Sequence, residues 1–379
     1  YIRNRILKDG LFNLDLFILM YRRLMNRVYV RHILLLLESS ITSRRGLAKN
    51  QQCDLIFFCH DVDRGVTLDG KAYSPIVDSV LQEFENNGVK SVSVALPGSK
   101  IQGDKGFNSP ISINSKYLIW KIFQKCGLKP LDRKLNAYQR VLEVLRPKLA
   151  FTIGSTPELA LAFKKYGVYQ VELLHGLGYS EVPWGWEKLS VSELPHQIMA
   201  FDRVSIESFK ELADRGVKIS YMQHPFLRRF YLKTNLPKEW SIRNDKNYKK
   251  EILISLQWGY ANDHGIYDEL SGILNNGLFH ENLMECIELS TDILWRFRLH
   301  PVQLRSQRYS SHRKFLDSLE KRYKNIEWKE SSIKPLPTLL QCCSGHITMS
   351  SMSSYDAANF GVKTLALCPT LKVNGKYAD

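Results

Sequence analysis

Apolar residues along the chain fall into two alternating patterns. Short continuous runs of strand length are separated by stretches in which apolar positions return every three or four residues, the spacing of a helix face. The first clear strand is 54–59 (DLIFFC), followed by a helical pattern over 75–87 with Gly88 placed to end it. Further strands are predicted at 89–96, 148–153, 168–174, 198–204 and 217–221, and helices at 115–126, 135–146 and 205–214. Another helix starts at Ser155-Thr156-Pro157-Glu158, where a hydroxyl cap, a first-turn proline and an acid come together. Residues 97–113 read as a Gly/Ser/Pro-rich loop.

Residues 233–250, with Lys233, Lys238, Lys246, Lys249 and Lys250 among Asn, Pro and Asp, read as a linker. The alternation then restarts, with strands at 251–256, 293–298, 325–328, 346–349 and 363–367 and helices at 281–291, 311–322, 336–342 and 353–360. Strand and helix in turn through both halves predict an α/β fold of two Rossmann-like domains with parallel sheets, facing across a cleft. The expected division is a helical segment over 1–50 packing on the first domain, an acceptor domain over 51–235 and a nucleotide-sugar domain over 245–379.

In the helical extension, Asp15, Arg22, Arg23, Arg27, Arg31 and His32 interrupt the apolar residues, so it lacks the ~18 uninterrupted apolar positions of a membrane span. It suits a helix packed on the first domain, or one lying in a membrane interface. Tyr1 at the start, and an end soon after a strand, fit a module of a longer chain.

At 379 residues, 44% hydrophobic and 24% charged, the composition is globular. The net charge of +15 points to an anionic substrate, an anionic membrane surface or nucleic acid. The seven cysteines form no CxxC pair and several lie in apolar strands, the usage of a cytoplasmic protein with reduced, buried thiols. Walker, GxGxxG, HExxH and GxSxG patterns are missing, against a P-loop NTPase, a dinucleotide enzyme, a zincin and an α/β-hydrolase.

Candidate chemistry sits where strands end, since open parallel sheets bind ligands beyond the carboxyl ends of their strands. Arg298-Leu299-His300-Pro301 ends one strand, and Pro301 turns the chain out of it. Ser350 and Ser351 end another and Asp356 follows in the next helix, where it can bind a ribose hydroxyl or complement the helix dipole. Gln257 to His264 leaves a third strand. Asp263 there is placed either as a nucleophile or acid/base group or as the cap of the following helix. In the first half, His175 and Glu181 leave a strand through a Gly-rich turn, with Trp184, Trp186 and Tyr179 nearby to stack on a sugar or base. His60, Asp61 and Arg64 follow the first strand; their Asp-x-Asp is read as acceptor-side or structural, not as a metal site.

These residues, Glu172 to Gly176, Gln257 to Asp263, His300-Pro301 and Ser350-Ser351, resemble those of bacterial capsule and O-antigen glycosyltransferases of the two-Rossmann GT-B architecture. The His-Pro and Ser-Ser pairs are similar to those of enzymes using CMP-sugars, and the Gln-loop-Asp pattern is most like that of the retaining β-Kdo transferases. The resemblance implies a CMP-Kdo donor, Asp263 as nucleophile, and Glu181 or His175 handling the acceptor proton. It also implies that Gln257, Arg298, His300, Pro301, Ser350, Ser351 and Asp356 hold the nucleotide without a metal or other cofactor. The expected partners are a lipid-linked glycan, the inner-membrane surface approached from the cytoplasm, and further glycosyltransferase modules, but not nucleic acid. The alternatives are a GT-B enzyme using a UDP-sugar or CDP-polyol, and a basic nucleic-acid-binding protein.

Overall fold

The structure, a computed structural model, describes residues 52–59, 66–95, 106–108, 111–112, 131–174, 186–232, 236–242, 247–256, 274, 277–280, 282–305 and 307–368. The chain forms two compact units; the first runs to Gln223 and the second from His224, taking in the short strand Val66–Leu68. Each is built on a parallel sheet with helices between the strands, the expected α/β class. The helical extension lies outside the described residues.

In the first unit the strands are β1 (Leu55–Cys59), β2 (Ser91–Ala95), β3 (Ile111–Ser112), β4 (Leu149–Thr152), β5 (Tyr169–Leu173), β6 (Gln197–Ala200) and β7 (Lys218–Tyr221). They lie in the order β3-β2-β1-β4-β5-β6-β7, every pair parallel. Successive side chains of β1 point to opposite faces. Leu55 and Phe57 pack with Val77, Val80 and Leu81 of helix α1 (Val77–Glu85). Ile56 and Phe58 pack with Tyr138 and Val141 of α2 (Leu131–Leu145) and Phe163 of α3 (Pro157–Lys165). Both faces are apolar, which is why β1 reads as an unbroken run.

Three local expectations are corrected. Thr156 stands at the N-cap of α3, but its hydroxyl makes no capping bond. The single helix predicted over 205–214 is two, α4 (Arg203–Ser208) and α5 (Lys210–Asp214), broken at buried Phe209. Asp202 caps the first of these, accepting from the Ser205 amide at 2.7 Å. Helix α6 (Pro225–Leu232) was not predicted; Phe226 and Phe230, one turn apart, pack on Trp240, whose indole donates to the Thr67 carbonyl at 2.6 Å.

The second sheet holds β8 (Lys250–Ser255), β9 (Ile293–Arg298), β10 (Ile326–Glu327), β11 (Gly345–Thr348) and β12 (Thr364–Ala366), in the order β10-β9-β8-β11-β12 and all parallel. Its helices are α7 (Asn282–Leu289), α8 (Pro301–Arg305), α9 (Ser310–Arg322), α10 (Lys329–Ile333), α11 (Leu336–Cys342) and α12 (Ser353–Asn359). Among the described residues no helix is long and apolar enough to cross a membrane. Cys53 and Cys343 are buried free thiols, whereas Cys286 is exposed.

The two faces of this sheet differ. Ile254, Trp295, Phe297 and Ile326 form an apolar core with Ile287 of α7 and Leu316 and Leu319 of α9. On the other face, strand register aligns Glu327, Arg296, Leu253, His346 and Thr364 in one row, and Arg298, Ser255 and Thr348 in the next. Arg296 is 2% exposed; it donates to Glu251 at 2.6 Å and to Glu327 at 3.2 Å. Glu327 also accepts from the amides of Glu330 and Ser331, which starts α10, a helix not predicted from the sequence. Removing one partner of a buried ion pair costs about 3–5 kcal/mol, against a domain stability of about 5–15 kcal/mol. Arg296→Ala is therefore expected to unfold most of the second unit under mild denaturant. Urea titration followed by tryptophan fluorescence checks this; an unchanged midpoint contradicts it.

Candidate functional site

In the second sheet β8 is central, β9 and β10 lie to one side of it, and β11 and β12 to the other. The order reverses between β8 and β11, and crevices at such points are where open α/β sheets bind ligands. Strands are spaced by about 4.8 Å, so the ends of β9 and β11 lie roughly 10 Å apart across β8. A nucleotide phosphate and ribose can span that gap.

At the end of β9, the half-buried Arg298 donates through Nη1 to the carbonyls of Ser331 and of Lys334, the latter at 2.6 Å. The Leu299 amide donates to the Ser332 hydroxyl at 3.0 Å, so α10 is tied to the strand end at several points. His300 precedes α8. Its amide donates to the Gln303 side chain at 3.0 Å and its carbonyl accepts from Leu304, with Pro301 opening the helix. Gln303 is fully buried, and its carbonyl accepts from Arg313 at 2.5 Å. The His300 ring is thus carried on a braced turn.

At the end of β11, Ser351 shapes the turn into α12. Its hydroxyl accepts from the Ser353 amide at 3.2 Å, and its carbonyl accepts from the amide and the hydroxyl of Ser354. Asp356 follows in the first turn of α12.

Electrostatics joins the two ends. Burial pulls Arg298 down to about 10, with Asp356 opposing, so the guanidinium stays charged at neutral pH. Burial raises Asp356 to about 6, against the pull of Arg298, which leaves it mostly ionised at pH 7. Burial and then the Arg298 charge hold His300 down, at about 4, so its imidazole is neutral with one N–H to donate. Arg298 therefore acts on both His300 and Asp356. This edge offers a neutral donor, a carboxylate suited to sugar hydroxyls, and serine hydroxyls, around a positive charge already engaged by backbone carbonyls.

Of the residues singled out in the sequence, Arg298, His300, Pro301, Ser350, Ser351 and Asp356 lie at this edge. Gln257 and Asp263, and His60, Asp61, Arg64, His175 and Glu181 of the first half, lie outside the described residues. Trp186 is buried against Phe209, as part of a core and not a stacking surface.

The roles of two further buried polar groups were not anticipated from the sequence. One is His346 with its hydroxyl partners, considered below. The other is Glu172, at the carboxyl end of β5 and 2% exposed. Its carboxyl group accepts from the Thr152 hydroxyl, from the Gly154 amide at 2.6 Å and from the Ser155 amide at 3.2 Å. Gly154 has φ +80°, a conformation glycine adopts without strain, and this turns both amides onto the carboxyl group. The signal was an acid beside Gln170 within an otherwise apolar strand.

Burial pushes Glu172 up to about 8, against the pull of Thr152 and the two amides. A folded value above the ordinary 4.5 means that the folded chain holds the proton more tightly. The resulting stability is complete below the unfolded value and is lost as pH rises through about 8. The melting temperature of the wild type is therefore expected to carry a component that falls between pH 5 and 8, and Glu172→Gln is expected to flatten it. Parallel pH profiles of the two proteins contradict this.

No family model matches the chain, and no curated protein matches it. Among solved structures it is similar to the UDP-GlcNAc 2-epimerase of Methanocaldococcus jannaschii in complex with UDP-GlcNAc and UDP, at 13% identity over 85% of this chain and 86% of that one, TM-score 0.48. It is similar to a putative UDP-N-acetylglucosamine 2-epimerase of Listeria monocytogenes at 13% identity, over 86% and 82%, TM-score 0.48. It is also similar to the spinosyn rhamnosyltransferase SpnG at 13% identity, over 83% and 80%, TM-score 0.46. Likenesses of this size assign neither substrate nor residue.

Proposed function

We propose that the chain is a glycosyltransferase that uses a nucleotide-activated sugar, with the nucleotide at the carboxyl edge of β8, β9 and β11. The observation that carries this reading is the placement of Arg298 and His300 at the end of β9 and of Asp356 after the end of β11, on either side of β8 where the strand order reverses. The neutral His300 donates to a phosphate oxygen as the sugar–phosphate bond breaks, and Asp356 accepts from ribose hydroxyls. Arg298 supplies the positive field that acts on both. The sequence resemblance supports a CMP-activated acidic sugar such as Kdo as donor, a lipid-linked oligosaccharide as acceptor, and retention of configuration through Asp263. The net charge of +15 suits an anionic donor and an acceptor displayed at an anionic membrane surface.

Thermal-shift titration of the full chain with CMP, CDP and UDP tests the reading. At least one pyrimidine nucleotide is expected to raise the melting temperature, and Asp356→Ala and His300→Ala are each expected to weaken that binding about tenfold or more. Stabilisation by CMP alone supports the CMP-sugar donor; stabilisation by UDP alone moves the donor to a UDP-sugar. Failure of all three nucleotides to bind, with no nucleotide released from any nucleotide sugar, overturns the proposal.

A further inference from the structure

His346 lies on the polar face of β11 and is 1% exposed. Its ring touches three other elements. Nδ1 is hydrogen-bonded to the Thr364 hydroxyl of β12 at 2.9 Å. Nε2 is hydrogen-bonded to the Ser255 hydroxyl, the last residue of β8, at 2.8 Å, and to the Ser353 hydroxyl, the first residue of α12, at 3.3 Å. Thr348, two residues on and on the same face, donates to the Ser255 carbonyl at 3.0 Å. The end of β8 is therefore held by two side chains of β11, and one of them also holds the start of α12. Two of these elements flank the point where the strand order reverses, and the third carries Asp356.

We propose that His346 is a positioning residue for the nucleotide: by bridging Ser255 and Ser353 it sets the spacing between the end of β8 and the Ser350–Asp356 turn. The proposal rests on the reading of that edge as the nucleotide site. The ring does this without touching ligand, since both its nitrogens face hydroxyls of the chain. A neutral imidazole suits the task because it offers one donor and one acceptor, and hydroxyls complement either. Burial keeps the ring neutral, down at about 4. The Nε2 side matters for the nucleotide and the Nδ1 side does not, because Thr364 lies one strand further out, on the edge strand β12.

Two substitutions separate this from a merely structural role. A glutamine amide reaches about as far along the side chain as Nε2, and an asparagine amide about as far as Nδ1. His346→Gln keeps the Ser255 and Ser353 contacts and gives up Thr364, whereas His346→Asn does the reverse. Both lose buried hydrogen bonds, so both lower the melting temperature. Only His346→Asn is expected to weaken nucleotide binding, by about tenfold, with His346→Gln staying within about threefold of wild type. Calorimetric titration of the full chain with CMP and with UDP reads this. Ser353→Ala, which removes one Nε2 partner without emptying the core, is expected to weaken binding in the same direction and serves if His346→Asn does not fold. Wild-type affinity in both His346→Asn and Ser353→Ala, or a loss in His346→Gln as large as in His346→Asn, overturns the positioning role alone. Absence of nucleotide binding by the wild type overturns the proposed function, and this role with it.

Discussion

A guanidinium in the middle of a parallel strand has to be paired where it lies, because water cannot reach it. Arg296 meets this between Glu251 and Glu327, and much of the second unit follows from that constraint. Both carboxylates lie on the same face of the sheet as Arg296, beside a smaller apolar cluster of Leu253 with Leu339 and Leu340 of α11 and Ala357 of α12, so this face is mixed. The larger apolar cluster of the unit lies on the other face, against α7 and α9. Glu327 meanwhile starts α10, whose far end is held by Arg298 one row nearer the carboxyl edge.

Arg298, Ser255 and Thr348 make up that row and His346 lies in the row behind it, each bonded within the protein. A site built this way is preorganised. Its cation is engaged by carbonyls and its two histidines are neutral. Such groups suit a phosphoester with sugar hydroxyls better than a free polyanion, which asks for accessible Lys and Arg. The first unit differs. The amides of Gly154 and Ser155, at the start of α3, already serve the chain's own Glu172. A feature that binds phosphate elsewhere is filled internally there, which leaves the second unit as the better place for the nucleotide.

Most of the strands and helices were legible because β1, β4 and β8 carry apolar side chains at the expected period, and Gly and Pro mark many of the ends. What escaped was set by contacts distant in sequence. Helix α6 depends on Trp240, and α10 on a carboxylate of the preceding strand. Trp295-Arg296-Phe297-Arg298 and His346-Ile347-Thr348-Met349 read as buried strands in which polar and apolar side chains alternate. The alternation could not reveal that the polar side chains would be paired across strands. At the site, the polar strand ends after β9 and β11 were legible as positions. The engagement of Arg298 by carbonyls, the use of Ser351 as a turn former and the hydroxyl partners of His346 were not, since each depends on which helix packs where.

The central claim is that a nucleotide binds where the strand order of the second sheet reverses. Hydrogen–deuterium exchange of the full chain, with and without saturating CMP or UDP, tests it most directly. The account predicts slowed exchange in peptides covering Leu299 to Leu304 and Ser350 to Asp356, with the Gly154–Ser155 turn of the first unit unchanged. Protection confined to the first unit, or none at either strand end while the nucleotide is bound, would contradict it.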